Sequence, residues 1–343
     1  MAVVTRYDYS NSIREDLEDI IYNISPTRTP FMNNVGRTSC DNTYHEWQTD
    51  VLYAADGSNA VVEGADAATS TTNFAAPTRN GNYTQISQKT LLVSGTSGAV
   101  DAAGMKTIEA YQIAKHGKEL KRDMEKILLS NQGATAGNSS TARTLAGLPT
   151  WIRSTAQTPA GNGVGIGTVT GPVFSGGASS SAGVPTTGWT LTSGAAAPTE
   201  ANLKSAISTL YSNGGEPKML MVGPVNKPKY SAFSGLSATR INTALHDSRG
   251  NTGNNGQQGV IVGAADLYLS DFGDLSIVPN LFVNEAFGYL VDPDYAKVAY
   301  LRPFQRNELA RTGDAKKSQL VVEYTLVVNS PYAHGVIANQ ATS

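Results

Sequence analysis

Charge is scarce in this sequence, and what there is cancels. Of 343 residues, 26 are Lys or Arg and 28 are Asp or Glu, so charged side chains make 16% of the chain and the formal net charge is −2. About a quarter is usual. The missing basic excess excludes a dedicated nucleic-acid binder held by phosphate neutralisation. The missing acidic excess excludes a chain kept disordered by self-repulsion. Cysteine occurs once, as Cys40, which excludes an intrachain disulfide and a cysteine-based metal cage. No apolar run reaches the roughly 18 residues of a membrane-spanning helix, and the opening MAVVTRYDYS lacks the apolar stretch of a signal peptide. The 34 glycines exceed the usual share of about 7%, and the length suits about two domains.

What is present is unevenly spread. Ser12 followed by Glu15 reads as a capping box, with Leu17, Ile20, Ile21 and Ile24 on one helical face and Ser25-Pro26 as the stop. Residues 27–36 continue as an extended arm. So short a helix, carrying four large aliphatics, must dock onto something, in its own chain or a neighbouring one. At 44–52 the period changes to two, and 83–93 reads as the matching strand. Some thirty residues rich in Ala, Gly, Asn and Thr lie between them, too many for an ordinary hairpin, so a long projecting loop is expected. It holds no cluster of titratable groups, which suits binding by surface.

The strongest helical pattern spans 101–131, with Met105, Ile108, Ile113, Leu120, Met124, Ile127 and Leu128 as its apolar stripe. Six cations (Lys106, Lys115, Lys118, Lys121, Arg122, Lys126) and five acids (Asp101, Glu109, Glu119, Asp123, Glu125) decorate it. They read as a solvated face, or as a face meeting other copies by ion pairs. Residues 134–198 invert the pattern: Arg143 and Arg153 are the only charged side chains. Their Gly/Ser content suggests a linker, but Leu145, Leu148, Trp151, Phe174 and Trp189 are too apolar for one, so a β-rich loop region with anchors is expected. Thr199 caps a helix with an apolar face of Leu203, Ile207, Leu210 and Tyr211, ended by Asn213-Gly214-Gly215. Met219–Val222 is a buried strand, and a helix follows at 226–234. Strands are expected at 260–262, 267–269, 275–278, 289–291 and 298–301, with a turn at Asp271–Asp274. The stretch 319–328, apolar on both sides of Glu323, predicts a central strand.

A search for chemistry assigns no catalytic, cofactor-binding or metal-ligating residue. His45, His116, His246 and His334 are scattered, and none has a ligand at metal-site spacing. His45-Glu46 lacks the second histidine of a zinc-protease helix. The run GNGVGIG (161–167) has Ile166 where a dinucleotide loop needs glycine, so a glycine-rich turn is expected. No phosphate loop and no nucleophile elbow occur. Asp292-Pro293-Asp294 lacks the further ligands of a calcium loop and reads as a turn, and Cys40 reads as a structural thiol.

The order of elements resembles the major capsid proteins of tailed double-stranded-DNA phages, the Hong Kong 97-like fold. The ordered blocks are also similar to a short-tailed-phage branch of that family. They are Ile13-Arg-Glu-Asp-Leu17 through Ile21-Tyr-Asn-Ile-Ser-Pro-Thr-Arg-Thr-Pro-Phe31, Glu46-Trp-Gln-Thr-Asp50, Gly147-Leu-Pro-Thr-Trp-Ile152 and Ser270-Asp-Phe-Gly273. Near the end come Ala299-Tyr-Leu-Arg-Pro-Phe304, Glu308-Leu-Ala310, Thr312-Gly-Asp314, Val322-Glu-Tyr-Thr325 and Ala333-His-Gly335. Residues 154–198 carry no such likeness.

The resemblance implies an α+β chain and a non-enzymatic, self-assembling role. It implies an N-terminal arm over 1–42, an extended loop over 43–95 and a peripheral domain over 96–215, with a spine helix at 101–131 and the Gly/Ser-rich β region at 134–198. An axial domain would take 216–296, and 297–343 would return to the peripheral domain with the central strand 319–328. It implies a virion protein assembled in the host bacterial cytoplasm, forming pentamers and hexamers around double-stranded DNA without sequence-specific binding. Its partners would be a portal protein and, in some relatives, scaffolding and decoration proteins; no membrane is implied. Some relatives cross-link through Lys–Asn isopeptide bonds, but Lys89 lies on a strand and the loop tip, 53–82, has no lysine, so none is expected here. Nor is cleavage of a large N-terminal piece expected. The alternatives are a bacterial nanocompartment shell of the same fold, and a hydrolase or binding module with a β-rich specificity region at 134–198.

Overall fold

The computed structural model describes residues 25–342 apart from 51, 53–54, 56, 59, 65, 67–76, 101–104, 106, 158–159, 177–181, 234–266 and 312. The expected first helix, His246 and the expected strand at 260–262 lie outside the described residues.

Two mixed sheets and a spine helix carry the fold, which is α+β. In chain order the strands are β1 (Gly36–Ser39), β2 (Tyr44–Thr49), β3 (Thr78–Tyr83), β4 (Gln85–Ser94), β5 (Gly163–Gly165), β6 (Thr168–Thr170), β7 (Thr190–Ser193), β8 (Met219–Val222), β9 (Leu267–Ser270), β10 (Gly273–Pro279), β11 (Phe287–Val291), β12 (Ala296–Leu309), β13 (Ala315–Val328) and β14 (Gly335–Ala338). The helices are α1 (Pro30–Asn34), α2 (Gly95–Ala99), α3 (Ile108–Leu128), α4 (Leu148–Trp151), α5 (Glu200–Ser212) and α6 (Lys227–Ser231). One sheet has the order β1-β12-β13-β4 and the other β5-β14-β11-β8-β10-β9; β2-β3 and β6-β7 form separate ribbons.

The expected central strand is found. β13 pairs antiparallel with β12 on one edge and β4 on the other, and every side chain from Val321 to Val328 is buried. A strand covered on both faces reads as a continuous apolar run, which is why its composition gave it away. The tight turn at Asp271–Phe272 joins β9 to β10 as expected. Leu145, Leu148, Trp151, Phe174 and Trp189 are all buried in the main core cluster, so they do anchor the Gly/Ser-rich region.

Several boundaries differ from expectation. The strand 44–49 pairs with 78–83 and not with 83–93; the latter stretch, as β4, pairs with β13 instead. Asn80-Gly81-Asn82 has the composition of a turn, yet Tyr44 lies over Gly81 so closely that a Cβ there would meet its ring at 2.5 Å. Asn82 is buried, donates to the carbonyls of Ala146 and Leu326 and accepts from the Ala146 N–H. Side-chain amides thus supply the bonds that apolar residues would not.

The spine helix begins at Ile108, not 101, and its 21 residues make it about 32 Å long. Its core residues Leu120, Met124 and Leu128 are all in the C-terminal half, while Met105, Ile108 and Ile113 are only half-buried. Pro30, expected in an extended arm, opens α1 from a position where a helix needs no N–H. Gly163–Gly165, expected as a turn, is a strand paired in parallel with β14.

α5 is capped as expected, with the Thr199 hydroxyl accepting from the Asn202 N–H. Its buried face, Leu203, Ile207 and Leu210, packs with Leu220, Val222, Leu275 and Ile277 of the six-stranded sheet, and not with the spine helix. Tyr211 departs from that face: it is exposed and stacks on Phe272 at 4.8 Å.

Candidate functional site

The titratable residues singled out above do not converge. His334 is fully buried; its Nδ1 accepts from the Asp292 N–H at 3.3 Å, and burial pushes its pKa down to about 4. His116 pairs with Glu119 one turn along the spine at 2.8 Å, and His45 sits on β2 with its pKa lowered by burial. Asp292 accepts from the Asp294 N–H in a turn also held by Lys218. Cys40 is buried, and desolvation followed by repulsion from Glu323 pushes its thiol up to about 11. Among the described residues no group of three or more His, Cys, Asp or Glu is placed to hold a metal ion.

Two buried carboxylates instead hold distant stretches of chain together. Glu125, on the spine helix, has no exposed surface. It accepts from the backbone N–H groups of Phe31 and Met32 at 2.7 and 2.9 Å and from the Asn280 amide at 2.8 Å. The first N–H groups of α1 lack partners within their own helix, and a spine side chain supplies them. Burial raises the Glu125 pKa, and the three hydrogen bonds hold that rise back.

Glu323, in the middle of β13, bonds Arg143 at 2.5 Å, Arg302 at 2.7 Å and the Thr84 hydroxyl at 2.8 Å. Arg143 also donates to the Thr84 carbonyl. One acid therefore joins the Gly/Ser-rich region, the foot of β4 and the irregular part of β12, where the register with β13 shifts on both sides of Arg302. Sequence reasoning singled out Glu323 but not its partners. It missed the role of Glu125, although an acid flanked by Met124 and Ile127 within an apolar stripe was a readable signal.

The mixed-charge helix also resolves into sides. Its acids are engaged within the chain: Glu109 by Arg306 and Lys316, Asp123 by Lys89 at 2.7 Å, Glu119 by His116 and Glu125 in the core. Its cations from Lys115 to Lys126 make no ion pair with a described residue. The loop between β2 and β3 presents Leu52, Val61 and Val62, each at least 80% exposed. These are exposed apolar and basic surfaces.

Comparison with known proteins gives the family. Residues 3–341 match the SU10 major capsid protein family. The chain belongs to that family. The major capsid protein of Escherichia phage Phieco32 is 31% identical over 337 residues, which are 93% of this chain and 92% of that one. This capsid protein also shares its fold with the capsid chain of a native GTA particle, at TM-score 0.59 and 10% identity over 99% of this chain and all of that one. A chain of Mycobacterium phage Bobi gives 0.57 and 13% over 99% and 100%. A Synechococcus elongatus encapsulin gives 0.51 and 11% over 100% and 98%. The fold alone is thus common to phage heads and nanocompartments; sequence kinship makes this chain a phage major capsid protein.

Proposed function

We propose that many copies of this capsid protein close an icosahedral shell around the phage's double-stranded DNA. The observation that carries the reading, beside the family match, is the exposed surface among the described residues: large aliphatics on the extended loop and a spine helix whose buried side chains all lie in its C-terminal half. The arm, 1–42, and the loop, 43–95, reach neighbouring copies. Residues 216–296, joined by β5 and β14 of their common sheet and by α5 packed on it, surround the axes of pentamers and hexamers. The spine helix with β4, β12 and β13 forms the peripheral body. A portal protein occupies one vertex, and scaffolding and decoration proteins act where the phage encodes them.

Shells assemble in the host cytoplasm and become the virion capsid. A net charge of −2 suits a container that encloses DNA without gripping it. The chain's work is non-enzymatic: among the described residues the buried acids Glu125, Asp292 and Glu323 are each engaged in structural hydrogen bonds or ion pairs.

The test is to purify the chain after bacterial expression and examine it by sedimentation and electron microscopy. Uniform closed particles are expected. A monodisperse monomer, with particles absent, would refute the shell reading. In virions, nuclease-protected DNA inside the shell separates a phage head from a nanocompartment loaded with cargo enzyme.

A further inference from the structure

The cations of the spine helix form a stripe. Lys115, Lys118, Arg122 and Lys126 follow one another at spacings of three or four residues, which puts them on one face. Lys115, Lys118 and Lys126 are exposed, with Lys121 beside them. The stripe runs into an apolar groove lined by Lys126, Leu129, Leu281, Phe282 and Val283. Arg122 lies over the Phe282 ring at 5.5 Å, and Leu281 is 55% exposed. A surface that is basic along its length and apolar at one end fits an amphipathic acidic segment. A nucleic-acid backbone would use the charge and leave the groove uncovered.

This chain carries such a segment. Residues 13–24, IREDLEDIIYNI, hold four acids and one arginine and, at helical spacing, line up Ile13, Leu17, Ile20, Ile21 and Ile24. As a helix the segment is about 17 Å long, the distance from Lys115 to Lys126 along the spine. Where the described chain begins, Ser25 to Arg28 are exposed, and Glu125 grips the chain only from Phe31 onward. The helix that carries the stripe thus also holds the root of the arm.

We infer that the acidic arm segment 13–24 of one copy docks on the basic stripe and groove of a neighbouring copy. The inference rests on the shell reading. Low net charge thus conceals a complementary pair, an arm of −3 and a stripe of +4 on one polypeptide, which orients copies head to tail as closed rings require.

The test uses two reversed chains, Lys115→Glu/Lys118→Glu/Lys126→Glu and Glu15→Lys/Asp16→Lys/Glu18→Lys/Asp19→Lys. Each alone is expected to lose about tenfold or more in particle yield, while its circular dichroism and melting match the unassembled wild-type chain. Both sets in one chain restore particles. Mixing the two defective chains gives ordered assemblies that contain both, because each supplies what the other's stripe or arm needs; a ring of five cannot alternate them, so these assemblies need not close. A stripe reversal that assembles normally overturns the inference, as does one that assembles but packages less DNA. A combined chain no better than its parents also overturns it. Rescue by the combined chain with no co-assembly of the two defective chains in the mixture overturns docking between copies in favour of docking within one. Wild-type chain that forms no particles defeats the shell reading itself, and this inference with it.

Discussion

Removing the carboxylate of Glu323 tests whether one acid holds the peripheral body together. The side chain is 4% exposed and bonded to Arg143, Arg302 and Thr84, whereas the two guanidinium groups are 25% and 46% exposed. Breaking a fully buried ion pair by deleting one partner costs about 3–5 kcal/mol, because the other charge stays buried. Here Arg302 can turn to water and Arg143 keeps its bond to the Thr84 carbonyl, so Glu323→Leu is expected to cost about 2–3 kcal/mol. Arg143→Met combined with Glu323→Leu removes the stranded charge, and about 1 kcal/mol of that loss should be recovered. The assay is urea unfolding of the unassembled chain followed by tryptophan fluorescence. Trp47 and Trp151, 5.1 Å apart, report on the core that packs against β13. If Glu323→Leu lies within about 0.5 kcal/mol of wild type, or the double variant is the less stable of the two, the account of this network is wrong.

His334 makes the fold acid-sensitive in a defined window. Its folded pKa of about 4 lies below the ordinary 6.5, so the unfolded chain takes up a proton first and stability falls as pH drops from 6.5 towards 4, by about 3 kcal/mol at the end. Urea midpoints measured from pH 7 to 4 should show this slope in the wild type and a flatter one in His334→Asn. Cys40, with its thiol at about 11 and buried, should resist a thiol reagent at pH 8 in the folded chain and react fully in urea. Gly117 lies mid-helix with open space around a built Cβ, so Gly117→Ala should stabilise the unassembled chain by about 0.5–1 kcal/mol, seen as a raised melting temperature.

Legibility followed the strength of local signals. The Thr199 cap and Asn213-Gly214-Gly215 stop bracket α5 because both act through neighbouring backbone. The continuous apolar run of β13 announces a strand buried on both faces. Periodicity identifies a strand but not its partner, so 83–93 was matched to 44–52 when the fold gives it to β13. β3 was unreadable because Asn82 bonds the backbone of Ala146 and Leu326 and Asn80 accepts from the Gly183 N–H, partners 64 and more residues away that no local pattern records. The spine's first turns read as helix from their spacing alone, but the described helix starts at Ile108. The work of Glu125 depends on the chain passing Phe31 across the spine, 94 residues away in sequence. The contact surfaces were partly visible, as a long loop and a charged rod. That the rod's acids are paired within the chain while its cations are left exposed needed the positions of Arg306, Lys316 and Lys89.

The path between the two sheets has one further consequence. After β11 the chain leaves the six-stranded sheet, lays down β12 and β13 of the other, and returns with β14 to lie between β5 and β11. Synthesis therefore cannot finish the six-stranded sheet before the four-stranded one has been made, and most of the contacts in both join residues distant in sequence. A copy halted before β14 can hold a finished four-stranded sheet beside a six-stranded sheet split between β5 and β11. Completion of the last strand is thus what separates a half-made subunit from a whole one.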